Sequence, residues 1–185
     1  MMKETLQSVA ELIRERRSIK SGYIQKEVDK DLIVSLLNDA AWAPNHGLRE
    51  PWRFIFISND RKEAFLDSIL ACFPKSQHEQ MRNKFIDVPA FLIVIMKTDP
   101  RQKQWEENFA ATSCFVQNLQ LLAWEKELGM VWKTPNFIYD PKFYNELEIE
   151  KDEKIIGMLQ IGYFDKNARF PERKRTDIRE KLTFF

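Results

Sequence analysis

The sequence predicts a single α+β domain, and two observations support that prediction. Three apolar runs of strand length occupy residues 53–58, 91–96 and 155–161. Helical patterns long enough to cover a sheet separate these runs. The chain of 185 residues contains no repeat or Pro/Gly-rich linker that would divide it. We therefore expect one domain spanning residues 1–185.

Two amphipathic helices are predicted ahead of the first strand. Residues 5–17 carry apolar side chains at helical spacing, namely Leu6, Val9, Ala10 and Ile13. A second helix is expected to begin after Asp29, whose carboxylate suits an N-cap. It should end near Ala43, because Pro44 disfavours helical geometry in the residue before it.

Two further helices are expected after the strand at 53–58, and capping patterns indicate where they begin. Asp60 followed by Glu63 resembles a capping box, and Ser76 followed by Glu79 matches it more strictly. Each pair therefore predicts a helix capped by its first residue.

The second half of the chain contains the most apolar segments. The run 91–96 does not alternate, which predicts a central strand covered on both faces. Residues 105–126 form a helix that is apolar nearly all round, so it should be buried inside a domain or a dimer. Gly129 is expected to end that helix, and Cys114 is expected to pack within it.

The C-terminal third predicts a short helix, a strand and an extension. Asp140 and Pro141 are expected to open a helix that reaches about Leu147, ahead of the strand at 155–161. Residues 165–185 are polar and basic until an apolar end, Leu182-Thr-Phe-Phe185. Such an end is expected to dock, and a partner subunit is the natural candidate.

Composition and charge exclude several classes of function. The 29 basic and 28 acidic residues give a net charge of +1, and no recognition-helix pattern is present, so nucleic acid is not an expected partner. His46, His78 and two cysteines are too few and scattered for a metal site, and there is no CxxC. With no signal peptide or membrane span expected, the protein should be cytoplasmic. Its 14 Phe, 5 Trp and 4 Tyr suit a ring-binding pocket or apolar interface, although core packing could account for most.

Two segments carry candidate binding residues. The cluster from Arg14 to Lys20 could hold a phosphate. A basic helix end that complements the helix dipole is the commoner arrangement, and spacing alone favours this second explanation. The loop within residues 40–54 contains two prolines, an Asn-His pair and two tryptophans between a helix and a strand, where functional loops are common.

Four stretches, in register over nearly the whole chain, resemble the FMN-dependent nitroreductase family, and in particular its small-chain NAD(P)H nitroreductase branch. They are Arg16-Arg17-Ser18-Ile19-Lys20, Ala43-Pro44 through Pro51-Trp52-Arg53-Phe54, Gln117-Asn118-Leu119 with Leu128-Gly129-Met130-Val131-Trp132, and Gly162-Tyr163 with Arg173-Lys174-Arg175. The resemblance implies a dimeric three-layer α/β/α sandwich with a mixed, mainly antiparallel central sheet. It also implies an FMN at each of two sites built from both subunits of a homodimer.

The resemblance further implies roles for individual residues. Arg16, Arg17, Ser18, Arg173 and Arg175 would surround the FMN phosphate. Lys20 would lie near N1 and O2 of the isoalloxazine ring, where its charge favours the reduced anionic flavin. The remaining implied cofactor contacts are Trp132, Lys133 and Thr134 near the ring or ribityl chain, and Asn45 and His46 from the partner subunit.

Two departures from the family pattern bear on the flavin. Leu48 and Glu50 stand where the family usually has asparagine and glutamine before Pro-Trp. Leu48 cannot hydrogen-bond the ring, whereas Glu50 can accept a bond from flavin N3–H. A carboxylate there would oppose the effect of Lys20 on the reduced flavin.

The expected activity is transfer of hydride from NADH or NADPH through FMN to a nitroaromatic, quinone or similar flat acceptor, by a ping-pong scheme. The chemistry would occur at flavin N5 without an evident catalytic side chain, since the protein orients and tunes the cofactor. The alternatives are another flavin reaction, or a flavin-binding regulatory protein without turnover. Candidates for an aromatic wall are Trp42, Trp52, Phe54, Phe73 and Phe85.

Overall fold

The centre of the protein is a four-stranded antiparallel sheet. The structure, a computed structural model, describes residues 8–185. Its strands are β1 (Trp52–Ile57), β2 (Ala90–Lys97), β3 (Leu128–Lys133) and β4 (Glu153–Tyr163), in the order β1-β2-β4-β3. β2 and β4 occupy the middle, and β2 is buried along all but its last residue. The three predicted strands, including the central placement of residues 91–96, are confirmed.

Helices cover both faces of this sheet, which confirms the three-layer α/β/α prediction. They are α1 (Val9–Glu15), α2 (Lys30–Ala40), α3 (Lys62–Leu70), α4 (His78–Phe85), α5 (Gln102–Glu125) and α6 (Pro141–Glu146). One core cluster joins α2 and α5 to the sheet, and a second joins α3, α4 and α6 to the opposite face. Asp29 and Asp140 cap α2 and α6 through their side chains, as predicted. α1 begins after a capping box at Ser8, and residues 5–7 of the predicted first helix lie outside the described chain.

Both capping-box predictions for α3 and α4 are wrong. A short 3₁₀ turn precedes each helix, at Asn59–Arg61 and Lys75–Gln77, and the expected cap residues lie within these turns, one residue before the observed N-cap positions. The Asp60 carboxylate accepts a hydrogen bond from the Ser58 hydroxyl instead, and neither helix has a side-chain cap.

β3 was not predicted as a strand, and the role predicted for Gly129 is also wrong. The long helix ends at Glu125, and Gly129 lies within β3. A Cβ at that position would lie 2.6 Å from Cγ1 of Ile19 and 2.9 Å from the Phe164 ring. Close packing across the sheet, rather than helix termination, therefore explains this glycine.

The segment that follows α1 runs along the outer edge of β3. Ser18 forms an isolated parallel bridge with Met130, and the Ile19 amide donates to the Met130 carbonyl at 3.2 Å. Tyr23 bridges Phe164 at the end of β4. The four named strands pair antiparallel throughout. The parallel pairing expected of a mixed sheet is found in the bridge between Ser18 and Met130.

Helix α5 is buried on one side only. Phe115, Val116 and Leu119 face the core, whereas Phe109 is 39% exposed and Cys114 is exposed. The prediction that Cys114 packs in the interior is therefore wrong for the single chain. Within residues 8–185 no helix is long and apolar enough to cross a membrane. The same residues contain no cluster of three or more His, Cys, Asp or Glu side chains that could hold a metal ion.

An ion pair spans the sheet between β1 and β4 and gives a pH-dependent prediction. The Arg53 Nε and Nη2 atoms each donate to the Glu153 carboxylate at 2.6 Å. The hydrogen bond from Arg53 lowers the pKa of Glu153 from its ordinary value of 4.5. A carboxyl with a lowered folded-state pKa stabilises the fold above its unfolded pKa, and this stabilisation is lost as the pH falls.

We expect Glu153→Gln to reduce the free energy of unfolding by about 1 kcal/mol at neutral pH, because Arg53 is partly exposed. The difference from wild type should shrink as the pH falls below 4.5 and passes through the lowered pKa of Glu153. Urea unfolding at several pH values measures it, with the exposed Glu79→Gln as a control. A Glu153→Gln deficit that is the same at every pH would contradict the assignment.

Candidate functional site

Arginines from both ends of the chain meet beside α1. The Arg173 guanidinium donates a hydrogen bond to the Arg14 carbonyl, which brings the C-terminal extension to the end of the first helix. A cavity of about 620 Å³ opens there. Its lining residues are Ile13, Arg14, Arg16, Arg17, Gln117, Glu172, Arg173 and Arg175. The structure thus brings together Arg16, Arg17, Arg173 and Arg175, the four arginines that the resemblance implies around one phosphate.

The cluster is strongly cationic, and its members differ in their partners. Burial, followed by the charge of Arg17, lowers the pKa of Arg16. Burial and then Arg17, Arg175 and Arg16 lower the pKa of Arg173. Guanidinium groups remain protonated in proteins, so their crowding favours the binding of an anion.

Arg17 differs from Arg16 in its contacts. Its Nη1 donates to the carbonyls of Arg14 and Glu15 at 3.1 and 3.2 Å, as a cation at a helix C-terminus does. Its Nε atom is buried without a hydrogen-bond partner in the described chain. Arg16 instead donates to the Gln120 side chain at 3.3 Å. The helix-end explanation therefore suits Arg17 and leaves Arg16 available to an anion.

The charges of Lys20 and Lys84 act on Lys133, which lies at the end of β3. Ser18 and Lys20 are exposed on either side of the buried Ile19, as extended backbone requires. Burial lowers the pKa of Lys133, at the end of β3, and the charges of Lys84 and Lys20 lower it further. Lys84 comes from α4 and was not predicted, because a lone lysine in a polar helix has no distinguishing pattern.

Trp132 and Thr134 flank Lys133 but differ in their surroundings. The Trp132 indole N–H donates to the Ile156 carbonyl at 3.3 Å, and the ring lies against Gly157. Trp132 is therefore packed onto the sheet, where it positions the end of β3. Thr134 is exposed beyond the strand.

The loop at residues 45–50 is held in a strained conformation. The Asn45 side chain accepts a hydrogen bond from the Glu50 amide at 3.0 Å and donates to the Ala43 carbonyl at 3.3 Å. Leu48 and Glu50 have φ angles of 52° and 43°, which non-glycine residues rarely adopt. Asn45 therefore shapes the loop, a role that the sequence did not indicate.

This loop also borders an apolar cavity of about 450 Å³. Trp42 and Leu48, which line it, are 88% and 83% exposed. Of the five candidate wall aromatics, Trp42 is the one left open. Phe54 stacks on Phe115, Trp52 lies tilted against the same ring, Phe85 is buried, and Phe73 packs against Phe137.

Within one chain, the loop and the arginine cluster lie far apart. Arg49 pairs with Glu107 near the start of α5, whereas Arg16 contacts Gln120 near its end. The hydrogen bond from Arg49 lowers the pKa of Glu107, and the nearby His46 contributes to the shift. At about 1.5 Å per residue, Glu107 and Gln120 are roughly 20 Å apart along the helix. The structure therefore does not bring Asn45, His46 and Glu50 to the arginines of the same chain.

The donors present suit a phosphorylated, electron-rich ligand. The arginines offer planar forks to a phosphate, and the lysines offer compact charges for an anionic ring. The fold is therefore an α+β sandwich of the α/β/α type, and its arginine-lined cavity has the charge that suits an anion.

Comparison with known proteins identifies the family. The chain belongs to the Nitroreductase family, whose sequence model matches residues 13–163. A nitroreductase-like family protein from Bacillus cereus has a crystal structure with a TM-score of 0.90 and 40% sequence identity, covering 98% of this chain and 97% of that one. YfhC of Bacillus subtilis, provisionally named an NAD(P)H nitroreductase, is 38% identical over 94% of this chain and 92% of its own. The FMN- and NADPH-dependent nitroreductase NfnB from Sphigopyxis sp. strain HMH shares the fold, with a TM-score of 0.78 and 18% identity over 96% of this chain and 99% of that one.

Proposed function

We propose that this protein is an FMN-dependent NAD(P)H oxidoreductase that reduces nitroaromatics, quinones or similar flat acceptors by a ping-pong scheme. The observation that supports this most is the cationic cavity where α1 meets the C-terminal extension. Its volume and five arginines suit the phosphate end of FMN. The names of its relatives supply the class of reductant.

The residues around the cavity have distinct roles in this proposal. Arg16, Ser18, Arg173 and Arg175 hold the phosphate, and Arg17 supports the end of α1. Lys20, Lys84 and Lys133 lie towards the ring, where their charges stabilise its reduced anionic form. Trp132 and Thr134 shape the end of β3 beside it. Bound FMN supplies the hydride chemistry, and these side chains bind and orient it.

The proposal also includes a homodimer in which the loop at 45–50 completes the partner's site. The distance between this loop and the arginines of the same chain supports this arrangement. Large apolar side chains left exposed on the single chain give further support, because soluble monomers rarely expose extended apolar surface. They include Val9, Ile13, Val34, Trp42, Leu48, Phe109, Ile178, Leu182, Phe184 and Phe185. In such a dimer Asn45, His46 and Glu50 approach the partner's flavin, and the exposed apolar end of the extension, residues 182–185, docks on the partner.

We expect the double substitution Trp42→Ser with Leu48→Ser to weaken dimerisation by roughly 100-fold or more, because each of the two side chains loses about 1.5–3 kcal/mol of apolar burial in each subunit. Sedimentation velocity across a concentration series measures the change. Tyr139→Ser, which removes another exposed large side chain, serves as the control. A wild-type protein that is monomeric at all concentrations would rule out the shared site.

The decisive test of the activity is an anaerobic absorbance spectrum of protein reconstituted with FMN and freed of excess. The expected result is a retained yellow flavin that NADH or NADPH bleaches and a quinone restores. Retained flavin that stays oxidised would favour the regulatory alternative. Protein that retains no flavin would overturn the proposal.

A further inference from the structure

The cavity beside the loop at residues 45–50 combines apolar walls with a carboxylate. The residues that line its volume of about 450 Å³ are Ala41, Trp42, Ala43, Pro44, Asn45, Leu48 and Glu50. Among residues 8–185, Glu50 supplies the one charged side chain of this lining, and no cation belongs to it. The cavity therefore offers a ligand an apolar, aromatic surface with a negative charge at its border.

The charge of Glu50 is not compensated by its neighbours. The side chain is exposed, and in the described part of the chain no hydrogen bond or ion pair joins its carboxylate to another residue. Arg49, the adjacent cation, pairs with Glu107 on α5 instead. The charge of His46 also acts on Glu107. The Glu50 carboxylate is therefore available to a cationic or N–H-donating ligand.

The backbone of the loop holds Glu50 at the cavity. Its amide donates to the Asn45 side chain at 3.0 Å, and its φ angle of 43° lies in the left-handed region. Leu48, on the same wall, has a φ angle of 52°. Strained backbone of this kind persists where the surroundings fix it, and it is concentrated at ligand-binding sites.

Trp42 gives the cavity an open aromatic face. Its side chain is 88% exposed, although it lies directly after a helix whose other large apolar residues pack inward. An indole face attracts flat rings and, more strongly, cations. It also disfavours anions, as the Glu50 carboxylate does. Both groups therefore select for the same charge.

We propose that this cavity binds the electron acceptor, and that Glu50 selects flat aromatic acceptors that carry a positive charge or an N–H donor. The role of the ligand as an acceptor rests on the proposed function, in which this loop approaches the partner's flavin. An amidinium group fits best, because its two N–H donors can pair with both carboxylate oxygens. An anionic ring is repelled by Glu50.

The first experiment measures ligand binding to the full chain, with and without FMN. Benzamidinium, benzamide and benzoate have nearly the same shape and are positive, neutral and negative. Tryptophan labelled with ¹⁹F gives an NMR signal for each indole, and the signal missing from Trp42→Phe belongs to Trp42. We expect benzamidinium to shift that signal with an affinity roughly 10-fold above that of benzamide, and benzoate to leave it in place. The signal of Trp124, which stacks on Phe164, should not move.

A charge-neutral substitution identifies the cause of the selectivity. Glu50→Gln should lower the affinity for benzamidinium to that for benzamide. Glu148→Gln is the matched control, since Glu148 is also an exposed glutamate with a positive φ angle, 50°, and it should change nothing. Benzamidinium that leaves the Trp42 signal in place, or binds equally well to Glu50→Gln, would overturn the inference.

The second experiment lets para-nitrobenzamidinium and para-nitrobenzoate compete for the FMN-loaded enzyme. The ratio of their kcat/KM values should favour the amidinium and fall at least roughly 10-fold in Glu50→Gln. Both acceptors react with the same enzyme, so a change in flavin content or potential cancels in this ratio. An unchanged ratio would overturn the role of Glu50 in acceptor selection.

The outcomes separate this inference from the proposed function. A protein that retains no FMN but binds benzamidinium through Glu50 would overturn the proposed function and support the binding site. An active flavoenzyme that does not discriminate among the charged rings would overturn this inference alone.

Discussion

Replacing Arg173 with alanine is expected to raise the Kd for FMN roughly 10- to 100-fold. Burial is the largest cause of the lowered pKa of Arg173, and the charges of neighbouring arginines lower that pKa further. A phosphate dianion would relieve this repulsion through charge-assisted hydrogen bonds, each of which contributes about 1.5–3 kcal/mol. Quenching of FMN fluorescence on titration with apoprotein measures the affinity.

Riboflavin provides a control, because it lacks the phosphate. Its affinity should be the same for wild type and Arg173→Ala. Arg179→Ala, which removes a guanidinium paired with Asp177 in the same extension, should leave FMN binding unchanged. Equal losses for riboflavin and FMN would place the phosphate away from Arg173.

Gly157→Ala is expected to lower the free energy of unfolding by about 3 kcal/mol. A Cβ at Gly157 would lie 1.9 Å from the Trp132 indole nitrogen and 3.1 Å from the Lys133 carbonyl oxygen. The indole must therefore move, which overpacks the sheet and breaks its hydrogen bond to Ile156. For a chain of this size the Tm should fall by roughly 10 °C.

A double substitution tests whether the indole is the cause. Trp132→Leu removes the clashing ring, so Gly157→Ala should cost much less in that background, and the coupling should exceed about 1 kcal/mol. Calorimetry of the four proteins measures the cycle. Additive effects would mean that the strand backbone, rather than Trp132, excludes a side chain from this position.

The elements that sequence reasoning found have local signals. α2 and α6 begin at aspartate caps, and β2 is a continuous apolar run. β3 has no such local signal. Its Gly129 resembles a helix-ending residue, but the glycine is needed there because Ile19 and Phe164, which are distant in sequence, pack against it. The shifted starts of α3 and α4 follow from 3₁₀ turns, which a capping pattern does not distinguish from the first turn of an α-helix.

The candidate site was predictable only where a resemblance joined distant segments. Spacing alone favoured the helix-end explanation for the basic cluster, which suits Arg17. The approach of Arg173 to α1 depends on the path of the extension, and no periodicity encodes it. Lys84 and the loop-shaping role of Asn45 are likewise products of tertiary packing, so the structure was needed to find them.

The bridge between Ser18 and Met130 has a consequence for solubility. β3 is an outer strand of six residues, and outer strands invite pairing with strands of other molecules. The bridge occupies backbone groups in the middle of β3 and leaves no uninterrupted stretch for a foreign strand to join. The segment that carries Ser18 and Lys20 thus also shields the β3 edge of the sheet from pairing with other molecules.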